Sequence, residues 1–349
     1  MSFSYIPIFC KQVNTGYSLI SFCLGNSLVS PAVATTMYLA SGAMTIYSIK
    51  KLEEENDPQK LPMMGVMGAF VFAAQMINFT IPGTGSSGHL TGGLMLTALL
   101  GPYAGFLTMV GILAIQCLLF ADGGLLALGC NIWNMAFYGC FISSMLIFKP
   151  IISKKLSKKN LMIASILGSI ISLQLGAFSV VVETELSGIT ALPWNLFIGV
   201  MQPIHLAIGA VEGIITGLVL SFIYEARPEL IWQGHTTKLA KTSKKKLLAL
   251  FGGLSVAVAG ILSIFASAFP DGLEWSILQL TGSTELPHKG AIYSMSSRVQ
   301  EFTALLPDYN IAGHESILGG MFAGIVGVLV VIGLYMLIHR YHEKHTESH

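Results

Sequence analysis

Long apolar stretches follow one another along this chain with only short polar connections between them, near 31–49, 61–79, 90–100, 102–120, 125–148, 161–182, 193–223, 247–268 and 316–338. Crossing a bilayer takes about 20 apolar residues as a helix. Lipid offers no partner to an open backbone, so only helices and closed barrels can span it. Runs of this length read as helices. The expected fold is therefore all-α, a polytopic transmembrane bundle with about seven helices in a core module and a two-helix pair after it. Composition agrees: 53% of residues are hydrophobic, 11% are charged and the mean hydropathy is +0.69, whereas soluble domains carry about 25% charged residues. The stretch 90–100 is too short to cross alone at about 1.5 Å per residue. It reads as a tilted piece or as one joined irregularly to the next through Gly101-Pro102.

Basic residues set the expected topology. They cluster at Lys50-Lys51 with Lys60, at 149–159, at 227–246 and at 340–344. Counting crossings puts every cluster on one side, and the positive-inside rule makes that side cytoplasmic. The segments around His89, Asp122-Gly-Gly124, 183–192 and 269–315 then face outward. A net charge of +1 leaves no nucleic-acid footprint. Cys10, Cys23, Cys117, Cys130 and Cys140 show no finger or disulfide-scaffold spacing, and the last three, in apolar surroundings, read as buried thiols.

The chain divides into an N-terminal extension (1–21), a membrane module (22–228), a basic cytoplasmic linker (229–246), a helical pair with an outward polar segment between its members (247–338) and a tail (339–349). The extension carries Lys11 and a short apolar stretch but no clean small-residue cleavage site. There is no evident inverted repeat, no P-loop and no His-Glu-x-x-His helix, which argues against a nucleotide hydrolase or a zinc hydrolase.

Chemistry concentrates in Pro82-Gly-Thr-Gly-Ser-Ser-Gly-His89-Leu-Thr-Gly-Gly93. Glycines let backbone approach a bound ion, and an imidazole is a strong transition-metal ligand. His89 reads either as that ligand or as a residue whose ring braces the loop. His205 and Glu212 share one helical face. Ionisable groups within a membrane are costly and face the protein interior, so the two form either an ion path or an interhelical hydrogen-bond cluster with Gln116 or Gln174. Asn131 and Asn134 read as support for the loop or as a second shell. His339, His342, His345 and His349 read as an exposed tail or a weak metal tract.

The order of Gln75-Met-Ile-Asn78-Phe-Thr-Ile-Pro-Gly83, Ser87-Gly-His89-Leu-Thr-Gly-Gly93, Gly101-Pro102, Asp122-Gly-Gly124, Leu128-Gly129 to Asn134-Met135 and His205-Leu-Ala-Ile-Gly-Ala-Val-Glu212 resembles the CbiM/NikM family. These are the substrate-capture membrane subunits of cobalt and nickel energy-coupling-factor transporters. The likeness covers about 22–226. The pair 247–338, with Pro270-Asp-Gly-Leu-Glu274, resembles the PDGLE-type accessory subunit, here fused. The resemblance implies a cell-membrane component of an ATP-driven importer, not itself an enzyme. It would carry Co²⁺ or Ni²⁺ as cargo, hold no prosthetic group, and work with a transmembrane coupling subunit and two cytoplasmic ATPase subunits. In the family, an N-terminal Met-His and the loop His supply a near-planar nitrogen set. The loop ligand carries over onto His89, and Asn78, Asn131 and Asn134 would shape its surroundings. At the other end, Phe22 falls at the Met, Cys23 at the His, and Asn26 where an acidic residue is usual. Three alternatives follow: trimming before Phe22, ligation by Cys23 as a thiolate, or a degenerate, non-binding site. A self-contained ion-coupled metal transporter using His205 and Glu212 is the rival from another class.

Overall fold

The computed structural model describes residues 23–57, 59–189, 192–235, 239–283, 290–311 and 316–346. The extension 1–21, Phe22, Cys10 and His349 lie outside the described residues. Helix α1 (Pro31–Glu55) opens on Ser30, whose hydroxyl accepts from Val33 N, and closes on Asn56 in the left-handed region, as helix ends prefer. It is followed by α2 (Lys60–Gln75), strands β1 (Phe79–Ile81) and β2 (Ser86–Gly88), α3 (Gly93–Leu100) and α4 (Pro102–Leu119). Next come α5 (Leu128–Lys154), wound as a π-helix over Ile132–Phe148, α6 (Lys158–Ser187) and α7 (Trp194–Ala226). The C-terminal part adds α8 (Lys244–Gly260), α9 (Gly272–Thr281), α10 (Ala291–Thr303) and α11 (Ile317–Thr346).

Five of these helices, α4, α5, α6, α7 and α11, are long and apolar enough to cross a membrane. The other expected stretches are helical but shorter or more polar: α2 has 16 residues and α8 has 17, α3 is an eight-residue half-helix, and α1 ends in Lys-Lys-Leu-Glu-Glu-Glu. Two further sequence readings are corrected. The segment 269–315 holds helices α9 and α10, because Asp271 caps α9 and α10 turns Tyr293, Ser296 and Gln300 to one buried face. The expected tail after 338 continues α11 past His339 and His342. The glycine-rich loop is also more regular than a loop, since β1 and β2 pair antiparallel with Thr80 opposite Ser87.

Polarity in the spans is inverted relative to a soluble protein. Ser143, Ser144, Ser165, Ser169 and Ser172 are buried, whereas Leu146, Leu218 and Leu329 are 67%, 58% and 58% exposed. Helices α6 and α7 cross in close contact along Gly209, Gly213 and Gly217. A Cβ on Gly213 would stand 2.4 Å from the Ile166 Cα, and one on Gly209 2.9 Å from the Ile170 Cα. Small residues every fourth position let helices in lipid approach at backbone distance.

The two ends of the bundle differ in chemistry. At one end Lys244 Nζ donates to Gln59 Oε1 at 2.6 Å, Lys158 pairs with Glu225 at 2.5 Å, and Lys149 lies 6.0 Å from the Trp232 ring. The β-hairpin occupies the opposite end, where α9 and the segment leading into it seat against it. Ser87 N donates to Pro270 O at 2.8 Å, Trp275 Nε1 to Thr84 O at 3.0 Å, and Ser267 N to Asn78 O at 2.8 Å.

Candidate metal site

Directly after β2, His89 enters a cavity of about 80 Å³ whose walls also carry Cys23, Asn131, Asn134, Met135, His205 and Asp271. Three distant parts of the chain therefore meet there: the segment before α1, the membrane helices α5 and α7, and the start of α9. The His89 ring donates from Nδ1 to Leu90 O at 3.0 Å, and the His205 ring from Nδ1 to Met201 O at 2.8 Å. A carbonyl can only accept, so each bond puts a proton on Nδ1, and in the neutral ring Nε2 is then the nitrogen able to ligate.

Glu212 fixes the chain beyond His89. Its carboxylate accepts from Thr91 N at 2.8 Å, Gly92 N at 3.1 Å and Thr91 Oγ1 at 2.9 Å. Behind this clamp, Gln75 Nε2 donates to Thr91 O at 2.8 Å and Gln116 Nε2 to Gln75 Oε1 at 3.1 Å. Sequence reading set His205 and Glu212 together as a polar pair. The structure instead engages each with a backbone partner of its own: Glu212 holds the loop and His205 its own helix. Of the suggested companions, Gln174 clips α6 to α7 by donating to Gln202 O at 2.8 Å.

The segment carrying Cys23 is held by backbone approach. Asn131 brackets Leu24, accepting from its N–H at 2.8 Å and donating to its carbonyl at 3.2 Å. Gly123 (φ 76°) lies so close that a Cβ there would be 2.4 Å from the Cys23 Cβ. Only glycine fits that conformation and that gap, which gives Asp122-Gly-Gly124 its structural reason. Asn26 stands farther back, accepting from Leu126 N at 2.8 Å and donating to Gln300 Oε1 at 3.1 Å. Asn78 supports the hairpin through its carbonyl and does not line the cavity. Cys117, Cys130 and Cys140 are buried free thiols, as expected.

Electrostatics at the cavity are acidic. Burial pushes the Cys23 thiol well above its usual range, and the nearby Asp122 and Asp271 push it the same way. Burial also raises Asp271 to about 6, against hydrogen bonds from Glu274 N and Leu273 N that lower it. Among the described residues no lysine or arginine lines the cavity, so a cation entering it would relieve these groups. Among the described residues, no three His, Cys, Asp or Glu side chains converge as a finished metal cage. The donors present are nitrogen from His89 and His205, sulfur from Cys23 and Met135, and oxygen from Asn134 and Asp271.

Asp271 and Met135 had no assigned part in the sequence reading. Their signals were the capping Asp of Pro270-Asp-Gly-Leu-Glu274 and a methionine next to Asn134. Neither spacing shows that the two residues share a cavity with His89.

Comparison with known proteins places these features. Residues 24–230 match the family described as "Cobalt uptake substrate-specific transmembrane region", and residues 245–344 match the PDGLE domain. The chain is 34% identical over 311 residues to the "Putative fused nickel transport protein NikMN" of Archaeoglobus fulgidus, covering 89% of this chain and 95% of that one. It is 25% identical over 329 residues to the "Fused nickel transport protein NikMN" of Rhodobacter capsulatus, covering 87% and 93%. A crystal structure of a truncated transition metal transporter superposes with a TM-score of 0.51 at 30% identity, over 58% of this chain and 98% of that one. The chain thus belongs to the cobalt-uptake substrate-specific transmembrane family, as a multi-pass membrane protein of metal transport with a PDGLE domain in the same polypeptide.

Proposed function

We propose that this chain is the metal-capture component of an ATP-driven importer, taking up Ni²⁺ or Co²⁺ at the outer face of the cell membrane. The observation that carries the reading is the cavity: His89, clamped in place through Glu212, shares it with Cys23, His205 and Asp271 and, among the described residues, with no lysine or arginine. Imidazole and thiolate suit late first-row dications, and an acidic surrounding draws them in. His89 and Cys23 are the ligands we assign. Asn131 holds the Cys23 segment, Asn134 lines the same wall, and Asn26 and Asn78 brace the loops behind. The fused nickel transport relatives favour nickel as the cargo. The positive-inside rule supports the orientation, because the lysine clusters gather at the end away from the hairpin.

Loading would draw donors that stand apart in the structure onto the ion, with the acidic wall neutralised as the cation enters. Release toward the cell needs the reverse separation, which we assign to a coupling subunit and two ATPase subunits acting from the basic end. The chain holds no P-loop to do that work itself.

The test is metal uptake by proteoliposomes with the protein alone and with coupling and ATPase subunits supplied. The proposal expects ATP-dependent nickel accumulation only with the partners. Nickel movement by the chain alone, driven by a proton gradient, would replace it with the self-contained ion-coupled transporter.

A further inference from the structure

The Cys23 Sγ lies 3.8 Å from the Met135 Sδ, and both residues line the cavity that receives His89. Cys23 is 7% exposed and is fixed by the bracket that Asn131 places on Leu24 and by the close backbone of Gly123. Met135 is the next residue after Asn134 on α5. Asn134 lines the same cavity, is 7% exposed, and leaves its Oδ1 without a hydrogen-bond partner while its Nδ2 donates to Glu183 Oε2 at 2.7 Å. A buried amide oxygen without a partner is costly. That oxygen is sealed within the wall, so the sulfur pair, which lies on residues lining the cavity, is the observation that counts here. Methionine in an apolar core needs no explanation. A methionine sulfur next to a cysteine sulfur, on the wall of an acidic cavity holding two histidines, has one.

Resting on the metal-capture reading above, we propose that Cys23 and Met135 form a sulfur edge of the site. The bound Ni²⁺ or Co²⁺ would then sit in a mixed nitrogen–sulfur donor set, with His89 Nε2 on one side and Cys23 Sγ and Met135 Sδ on the other. As the metal–sulfur bond to Cys23 forms, the thiol proton leaves to water. The thioether keeps its two carbons and gives a lone pair only. Soft donors shift preference toward late, polarisable dications and away from Mg²⁺, Ca²⁺ and Mn²⁺, which favour oxygen. The sulfur edge therefore sets selectivity as well as affinity.

The experiment uses the full chain in detergent, titrated with NiCl₂ and CoCl₂ while the near-ultraviolet spectrum and bound metal are read together. The proposal expects stoichiometric metal and a thiolate-to-metal charge-transfer band. In Cys23→Ser the band disappears and affinity falls at least about tenfold, a loss typical of a disturbed metal shell. Met135→Leu keeps volume, keeps the band, and weakens Ni²⁺ by about tenfold while leaving Mn²⁺ binding unchanged. Both variants are compared with wild type by thermal midpoint, so that a misfolded chain is not scored. Metal bound by wild type without a band, with Cys23→Ser binding equally well, overturns the sulfur edge and the assignment of Cys23 as a ligand, and leaves metal capture through His89 standing. Unchanged nickel affinity in Met135→Leu removes the thioether from the donor set. No metal bound by wild type overturns the capture reading, and the inference with it.

Discussion

Glu212→Gln isolates what the clamp on the His89 loop is worth. The carboxylate accepts from Thr91 N through Oε2, from Gly92 N through Oε1, and from the Thr91 hydroxyl. An amide of the same shape has one acceptor oxygen, so its NH₂ must face one of the two backbone N–H groups. That leaves one buried donor unsatisfied, at a cost of about 1–3 kcal/mol. Thr91 is two residues from His89, so the loss falls on the geometry of the ligand. At 1.4 kcal/mol per decade, nickel or cobalt affinity should weaken about 5- to 150-fold. The assay is metal titration of the purified full chain, with Gln174→Ala as control. Gln174 ties α6 to α7 through Gln202 O without touching the loop, so its affinity should stay within about twofold, the scatter expected of a site with no shared partner. A folded Glu212→Gln variant with wild-type affinity would refute the clamp.

Four further outcomes follow from the packing and the burial. Gly213→Ala places a Cβ 2.4 Å from the Ile166 Cα, which cannot swing aside, so the thermal midpoint should drop by the equivalent of about 1–3 kcal/mol. Gly199→Ala, with nothing within 4 Å, should leave the midpoint unchanged or raise it. Asp271 titrates at about 6 in the fold against an ordinary 3.8, so between these values the folded state binds more protons than the unfolded one. Stability therefore falls as pH rises from about 4 to 6 and stays lower above that. Asp271→Asn keeps the cap and removes the titration, so its advantage should grow across that window toward roughly 2–3 kcal/mol in pH-resolved thermal melts; a pH-independent difference would contradict the burial argument. Ser87→Ala deletes a 2.7 Å bond to Phe269 O, and faster hydrogen exchange over 267–275 should report the looser seating.

The membrane architecture was largely readable, because apolar runs are local signals; helix caps are local as well, though the reading did not draw on them. Ser30, Ser157 and Ser243 each stand where a helix begins and accept from its first turn. The glycine-rich stretch around His89 also stood out, with ligation and bracing both open to its ring; the structure places the residue at the cavity and bonds its Nδ1 to Leu90 O. Helix α9 over the hairpin was harder to see, because its seating depends on Ser87 meeting Phe269 and Pro270, a contact across some 180 residues. Glu212 shows the same limit. Its seven-residue spacing from His205 suggested a pair, yet its carboxylate reaches the Thr91–Gly92 backbone, which no helical periodicity encodes. Asp271 and Met135 come together with Cys23 only through tertiary folding.

The central claim is that this cavity captures a late divalent metal through His89. The most direct test is the metal content and affinity of the purified full chain beside His89→Ala. The account predicts one Ni²⁺ or Co²⁺ per wild-type chain, lost in the variant while the fold is kept. Absence of metal from both, or equal binding by both, would contradict it.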